Sequence, residues 1–125
     1  PVSEGARAIP KILAESARMG GSAFLAVIKA PRKAGVGLLS FTLPGYSLAL
    51  DFPADARTGA LVNRLHEVTI EHGGRVYLAK DSLLSANQLP RMYPALDRFR
   101  DVLNRVDPFG VMQSDMSRRL DVRKQ

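Results

Sequence analysis

Two short runs of this chain alternate with the two-residue period of a strand, and the stretch after them repeats with the period of a helix, so strand and helix must share one fold. In the first run, residues 22–29, Phe24, Ala26 and Ile28 point one way and Leu25, Val27 and Lys29 the other. From Gly45 onward, Tyr46, Leu48, Leu50 and Phe52 share one face while Ser47, Ala49 and Asp51 share the opposite one. One face is a core face; the other is small and polar. Thr58, Leu61, Val62, Leu65, Val68 and Thr69 then recur at helical spacing until Gly73-Gly74 ends the segment.

The other elements are read around this centre. Residues 8–19 carry Ile9, Ile12, Leu13 and Ala17 at near-helical spacing, with Pro10 in a first turn and Gly20-Gly21 as a stop. Residues 30–44 hold Pro31, Gly35, Gly37 and Pro44 beside Arg32 and Lys33, which predicts a loop with room for a short strand at 38–41. Loops of this length are often functional or mobile. Residues 75–79 read as a third strand leading into Lys80-Asp81-Ser82, and residues 85–92 as a short helix broken around Pro90. Pro94 opens a last long helix that buries Leu96, Phe99, Leu103 and Val106. Asp107-Pro108-Phe109-Gly110 is a turn, after which Ser114 or Asp115 caps a final short helix through Leu120. The predicted class is α+β, an antiparallel or mixed sheet with helices packed on one face in a ferredoxin-like manner.

At 125 residues, with 46% of them hydrophobic, the chain has the size of one domain with one core. No run reaches the roughly 20 apolar residues of a membrane-spanning helix, and the N-terminus lacks the basic-then-apolar order of a signal peptide. Pro1 stands where a start methionine would, in what reads as the approach to a helix, so a piece of a longer protein is expected. The absence of cysteine excludes disulfides, thiolate metal sites, Cys nucleophiles and dithiol redox chemistry. Only His66 and His72 are imidazoles, and six residues apart on a helix they point in different directions, as surface or structural histidines do; no metal site is expected. The charge of 18 − 12 = +6 suggests an anionic partner: nucleic acid, a phosphorylated small molecule, an anionic membrane surface or another domain.

Three features are candidates for a site. Lys29 ends a strand two residues after Val27, Ser47 and Ala49 form the small face of the next strand, and the segment from Tyr77 to Ser82 follows the third. Residues two apart share a sheet face, so Val27 with Lys29 and Ser47 with Ala49 can floor a pocket together. Tyr77 and Lys80, three apart, would face oppositely on a regular strand, and share a site only where that strand ends or bulges between them. No Walker loop, GxGxxG, GxSxG or carboxylate pair is present. Arg118-Arg119 and Arg123-Lys124 read as a solvated tail more readily than as a phosphate site.

The run Gly73-Gly74-Arg75-Val76-Tyr77-Leu78-Ala79-Lys80-Asp81-Ser82, then Met92-Tyr93-Pro94, Val106-Asp107-Pro108 and Ser114-Asp115-Met116-Ser117-Arg118-Arg119-Leu120, resembles the C-terminal part of the decaprenylphosphoryl-ribose oxidases. These are flavoenzymes of the vanillyl-alcohol-oxidase type, related to the sugar-lactone oxidases. Upstream, Leu39-Ser40-Phe41, Pro44-Gly45-Tyr46 and Asp51-Phe52-Pro53 match as well, and the likeness runs from about Ser22 to Leu120. The resemblance implies an FAD-dependent oxidoreductase that moves a hydride from a sugar or alcohol carbon to flavin. It implies that residues 1–90 are part of the substrate-binding domain, that residues 91–125 are a C-terminal helical segment, and that the FAD-binding domain lies outside this chain. The family's site positions fall on Val27, Lys29, Ser47 and Ala49 for substrate and on Tyr77 and Lys80 for the cofactor, with Lys80 also the catalytic cation beside flavin and substrate. Mycobacterial members carry Cys at the position of Ala49 and Asn at that of Ser47, so the sugar specificity does not transfer.

The implied partners are the preceding FAD-binding domain and a sugar or alcohol substrate, with no nucleic acid. A fragment cut from that domain is expected to hold FAD weakly or not at all, since a few contacts cannot offset the entropy of immobilising so large a ligand. It is also expected to be inactive alone, and a dimer of it can arise through the uncovered surface. The compartment stays open between the cytoplasm, a membrane face and the periplasm. From a different class, a free-standing basic α+β module binding RNA through its sheet would also explain the charge, but it requires exposed aromatics on adjacent strands. Phe24, Tyr46 and Phe52 instead lie on faces that helices are expected to cover.

Overall fold

The computed structural model describes residues 1–123. Its elements are α1 (Val2–Arg18), β1 (Leu25–Lys29), β2 (Ser47–Asp51), α2 (Thr58–Glu71), a 3-10 turn (Leu78–Lys80), α3 (Leu89–Met92), α4 (Leu96–Val106) and α5 (Asp115–Arg119). The class is α+β, with one two-stranded antiparallel sheet. None of the described helices is long and apolar enough to cross a membrane.

Helix α1 begins six residues before the position predicted from its apolar spacing, which leaves Pro10 in its interior instead of its first turn. The carbonyl of Pro1 accepts the N–H groups of Glu4 and Gly5 and so nucleates the earlier start. Gly5 is buried because the Tyr46 ring lies on it; a Cβ there would stand 2.2 Å from Tyr46 Cδ2. The helix ends at Met19, and Gly20 takes φ 71°, a left-handed conformation that costs glycine nothing.

The strands pair with Leu25 opposite Asp51, Ala26 opposite Leu50, Val27 opposite Ala49, Ile28 opposite Leu48 and Lys29 opposite Ser47. Residues 30–46 connect them without forming the short strand allowed at 38–41. The expected helical cover is only partial. Leu48, Leu50 and Phe52 are half-buried on the side where Tyr46 meets α1, but β1 is exposed at every residue except the half-buried Val27, and Phe24 beside it is 73% exposed.

Helix α2 follows its predicted pattern, burying Leu61, Leu65 and Val68. Charges tie it to α1: Arg64 bridges Glu15 and Glu71 at 3.2 Å each, Lys11 meets Glu71 at 2.6 Å, and His72 meets Glu4 at 2.9 Å. The main core lies in the second half, where Leu84, Leu89, Met92, Tyr93, Leu96, Leu120 and Val122 pack together, with Leu39, Ile70, Val76, Leu78, Phe99 and Leu103 at its margin. It joins residues on both sides of position 90.

Residues 75–79 are not a strand, which also removes the strand-helix-strand crossover. Side chains have taken the backbone groups that a ladder would use. The Tyr93 hydroxyl donates to the Val76 carbonyl at 2.6 Å, and the Val76 N–H points at Met92 Sδ at 3.4 Å. Pro90 does not break a helix; it sits in the first turn of α3, where its missing N–H is harmless. In α4, Leu96 is buried and Phe99 and Leu103 half-buried as expected, whereas Val106, at the end of the helix, is 72% exposed. Ser114 caps α5, exchanging hydrogen bonds with Ser117 in a reciprocal capping box.

The solvated-tail reading fits Arg118, which is exposed, and is overturned for Arg119 and Arg123. Arg119 pairs with Asp81 at 2.9 Å, and Arg123 with the buried Asp107 at 2.8 Å. Asp107 also receives the N–H groups of Val111 and Met112, which hold its carboxyl below the usual range. Lys124 lies outside the described residues.

Candidate functional site

The sheet register decides the first half of the site. Residues directly opposite in an antiparallel pair project to the same side, so Val27 with Ala49 and Lys29 with Ser47 make a contiguous patch of four side chains. Both faces predicted from the alternation are therefore present. Ala49 is exposed and small, leaving low ground beside the Lys29 ammonium, which forms no hydrogen bond or ion pair among the described residues.

The second half rests on the 3-10 turn. Lys80 N–H donates to the Tyr77 carbonyl at 3.0 Å, closing a 3-10 turn that Tyr77 enters in an extended conformation. The condition set by the sequence, an interruption between Tyr77 and Lys80, is thus met by a turn, although no strand precedes it. Tyr77 is 46% exposed, and its ring lies 5.1 Å from that of Phe41, centroid to centroid, at a tilt of 36°. Lys80 is exposed and forms no hydrogen bond or ion pair among the described residues.

The loop at residues 30–46 joins the two halves. Phe41 and Ser40 both belong to it, and Arg75 Nη1 donates to the Ser40 carbonyl at 2.8 Å while its guanidinium sits 5.1 Å over the Tyr93 ring. Burial pushes the Tyr93 phenol up to about 12, so it remains a donor to Val76 at physiological pH. On the far side of the turn, the Asp81 side chain, 2% exposed, accepts the Leu83 and Leu84 N–H groups at 3.0 and 2.8 Å and meets Arg119. The turn is consequently fixed at both ends while Tyr77 and Lys80 stay open.

Phe41, Tyr93 and Asp81 were given no role from the sequence, and Arg119 reads there as part of a solvated basic tail. Their only signal was membership of the runs that carry the family resemblance. The two histidines take structural places. His66 is buried in α2, and burial lowers its pKa; His72 caps the end of α2 and meets Glu4. Two shallow concavities, one beside Met112, Arg118 and Arg123 and one beside Gly21, Phe52 and Arg57, include none of the six candidate residues. The Val27–Ala49 patch is an open floor.

Residues 50–120, more than half of the chain, match the family model for D-arabinono-1,4-lactone oxidase. Over 120 residues the chain is 37% identical to decaprenylphosphoryl-beta-D-ribose oxidase of Mycolicibacterium smegmatis, covering 96% of this chain and 26% of that protein. Over 86 residues it is 48% identical to an uncharacterized protein in the mprA 5' region of Streptomyces coelicolor, covering 67% of this chain and 23% of that one. The chain thus spans about a quarter of the length of the curated relatives it matches. With the matched segment running from β2 through the Tyr77–Lys80 turn to the end of α5, the chain belongs to the D-arabinono-1,4-lactone oxidase family, a family of FAD-linked oxidases.

Proposed function

We propose that this chain is the C-terminal part of an FAD-dependent oxidoreductase that oxidises a sugar or alcohol carbon, and that it lends Tyr77 and Lys80 to the flavin side of the active site. The observation that carries the reading is Lys80, an exposed cation without a partner among the described residues, on a turn whose backbone closes onto the Tyr77 carbonyl and which is pinned at both ends. That donor set fits a flavin, whose reduced ring carries negative charge.

When bound, FAD would supply the two-electron acceptor for oxidation of a hydroxyl-bearing carbon. The residues of this chain provide position and charge. Lys80 stabilises the negative charge that grows in the transition state, where a cation in a water-poor site has its largest effect. Tyr77 packs against the ring system. Lys29 binds a substrate oxygen, and Val27, Ser47 and Ala49 form the surface on which the sugar lies. The FAD-binding domain of the same polypeptide is the partner, and the outer strand β1, with Phe24, Leu25 and Ile28 exposed, is a surface it can cover.

The test is the visible absorption spectrum of the full-length protein, before and after anaerobic addition of candidate sugars and alcohols. Flavin bands that bleach with one of them support the reading. A colourless protein that takes up no FAD, yet binds RNA with steep salt dependence, refutes it in favour of a basic binding module. The geometry does not favour that module: Phe24 and Tyr46 are exposed, but they flank opposite ends of the two-stranded ribbon and Tyr46 leans on α1.

A further inference from the structure

Lys80 is followed directly by a carboxylate, and the structure keeps the two apart. A three-residue 3-10 turn has little stability of its own, and Asp81 at its end adopts an extended backbone, φ −96° and ψ 138°. Turned outward, the Asp81 carboxylate would be the nearest anion to the Lys80 ammonium. Instead its side chain is 2% exposed: Oδ1 takes the Leu83 and Leu84 N–H groups, and Oδ2 takes Arg119 Nη2 at 2.9 Å. The other terminal nitrogen of Arg119, Nη1, donates to the Leu84 carbonyl, so one guanidinium holds both sides of the loop after the turn. Arg119 comes from α5, 38 residues further on, fixed by the capping box at Ser114 and by the fully buried Leu120.

We infer that Arg119 and Asp81 are a positioning pair for Lys80: Arg119 draws the Asp81 carboxylate inward, which fixes the turn and leaves the Lys80 ammonium free for the flavin and substrate. The inference rests on the reading of Lys80 as the flavin-facing cation. Only the Asp81 carboxylate of this pair is sheltered, the Arg119 side chain being 32% exposed, so the pair gains the attraction of a partly solvated ion pair. Its distinct effect is to settle where a neighbouring charge points.

The experiment compares Arg119→Ala, Arg119→Lys, the double variant Arg119→Ala with Asp81→Asn, and Lys80→Ala in the full-length, flavin-loaded protein. The first readout is the acylation rate of the Lys80 amine near pH 8, followed by peptide mass spectrometry. In Arg119→Ala the carboxylate keeps only the Leu83 and Leu84 N–H groups on Oδ1, Oδ2 is released to turn toward Lys80, and the rate falls about fivefold, the equivalent of about 1 kcal/mol. Arg119→Lys restores at least half of the wild-type rate. In the double variant, where the carboxylate is gone, the rate recovers although the turn is unclamped. The second readout is flavin reduction by substrate, which slows in Arg119→Ala with a smaller change in substrate affinity, and slows in Lys80→Ala. If Lys80→Ala impairs reduction but Arg119→Ala changes neither Lys80 acylation nor reduction, the positioning role is wrong and the Lys80 reading stands. If Lys80→Ala reduces flavin at the wild-type rate, the Lys80 reading fails and takes the inference with it.

Discussion

Replacing Tyr93 with phenylalanine removes a single oxygen from the anchor upstream of the candidate site. The ring is 1% exposed and remains in place in the variant, together with its contact to the Arg75 guanidinium, so no cavity larger than that oxygen opens. What is lost is the 2.6 Å hydrogen bond to the Val76 carbonyl. A net hydrogen bond contributes about 0.5–1.5 kcal/mol, and an acceptor left without a partner adds about 1–3 kcal/mol when it is wholly shielded from water. Val76 is half-buried, so water can reach part of that acceptor, and the expected loss is about 1–2 kcal/mol. This corresponds to a factor of roughly 5–30 in the unfolding equilibrium. Urea unfolding followed by circular dichroism measures it, and amide exchange localises it: the Lys80 N–H, which closes the 3-10 turn, should exchange faster in the variant. Alkaline pH gives a second test. With the folded phenol raised to about 12 from an ordinary 10, the unfolded state releases its proton first, so this contribution to stability is intact below pH 10 and declines as pH rises from 10 to 12. The wild-type-minus-variant difference isolates that slope from the other tyrosines and the lysines. A Tyr93→Phe protein within about 0.3 kcal/mol of wild type, with no such difference, would refute the claim that this hydroxyl holds residues 75–79 out of a strand.

Further outcomes follow from the same geometry. Pro10→Ala restores a backbone donor in the interior of α1 and should stabilise the protein by about 1–3 kcal/mol, read as a rise in thermal midpoint. Gly5→Ala should destabilise the protein where Tyr46 is present, because its Cβ meets the ring, and stabilise it by up to about 1 kcal/mol in a Tyr46→Ala background; the same sign in both backgrounds contradicts the contact. His66 is held below its ordinary 6.5 by burial, so the unfolded state gains a proton that the fold refuses as pH drops below 6.5. Stability should therefore decline as pH falls below about 6.5, before the paired carboxylates of Glu4, Glu15, Glu67 and Glu71 take up protons, and His66→Gln should flatten that decline.

The elements legible in the sequence are those that local period alone determines. Leu61, Leu65 and Val68 of α2 and the opposed faces of β1 and β2 are set by side-chain spacing, and the register then places Lys29 opposite Ser47 without further information. Residues 75–79 were misread for a physical reason. Their composition suits a strand, but Tyr93 and Met92, about 17 residues downstream, satisfy the Val76 backbone, and no local rule records that. The start of α1 was hidden because residues 2–7 are mostly small or charged, and what packs there is a glycine under a tyrosine from another element. The basic tail looked solvated because Asp81 and Asp107 lie 38 and 16 residues away from their arginines. For the site, residue spacing could state the condition that Tyr77 and Lys80 had to meet. Only the folded backbone could supply the turn that meets it.

The central claim is that Lys80 faces a flavin and stabilises the charge that develops on it. Its most direct test is the anaerobic rate of flavin reduction, by a substrate identified through bleaching, in full-length wild type and Lys80→Ala with flavin content matched. Loss of a single preorganised cation predicts a rate lower by about 100-fold or more. An unchanged rate would contradict the account.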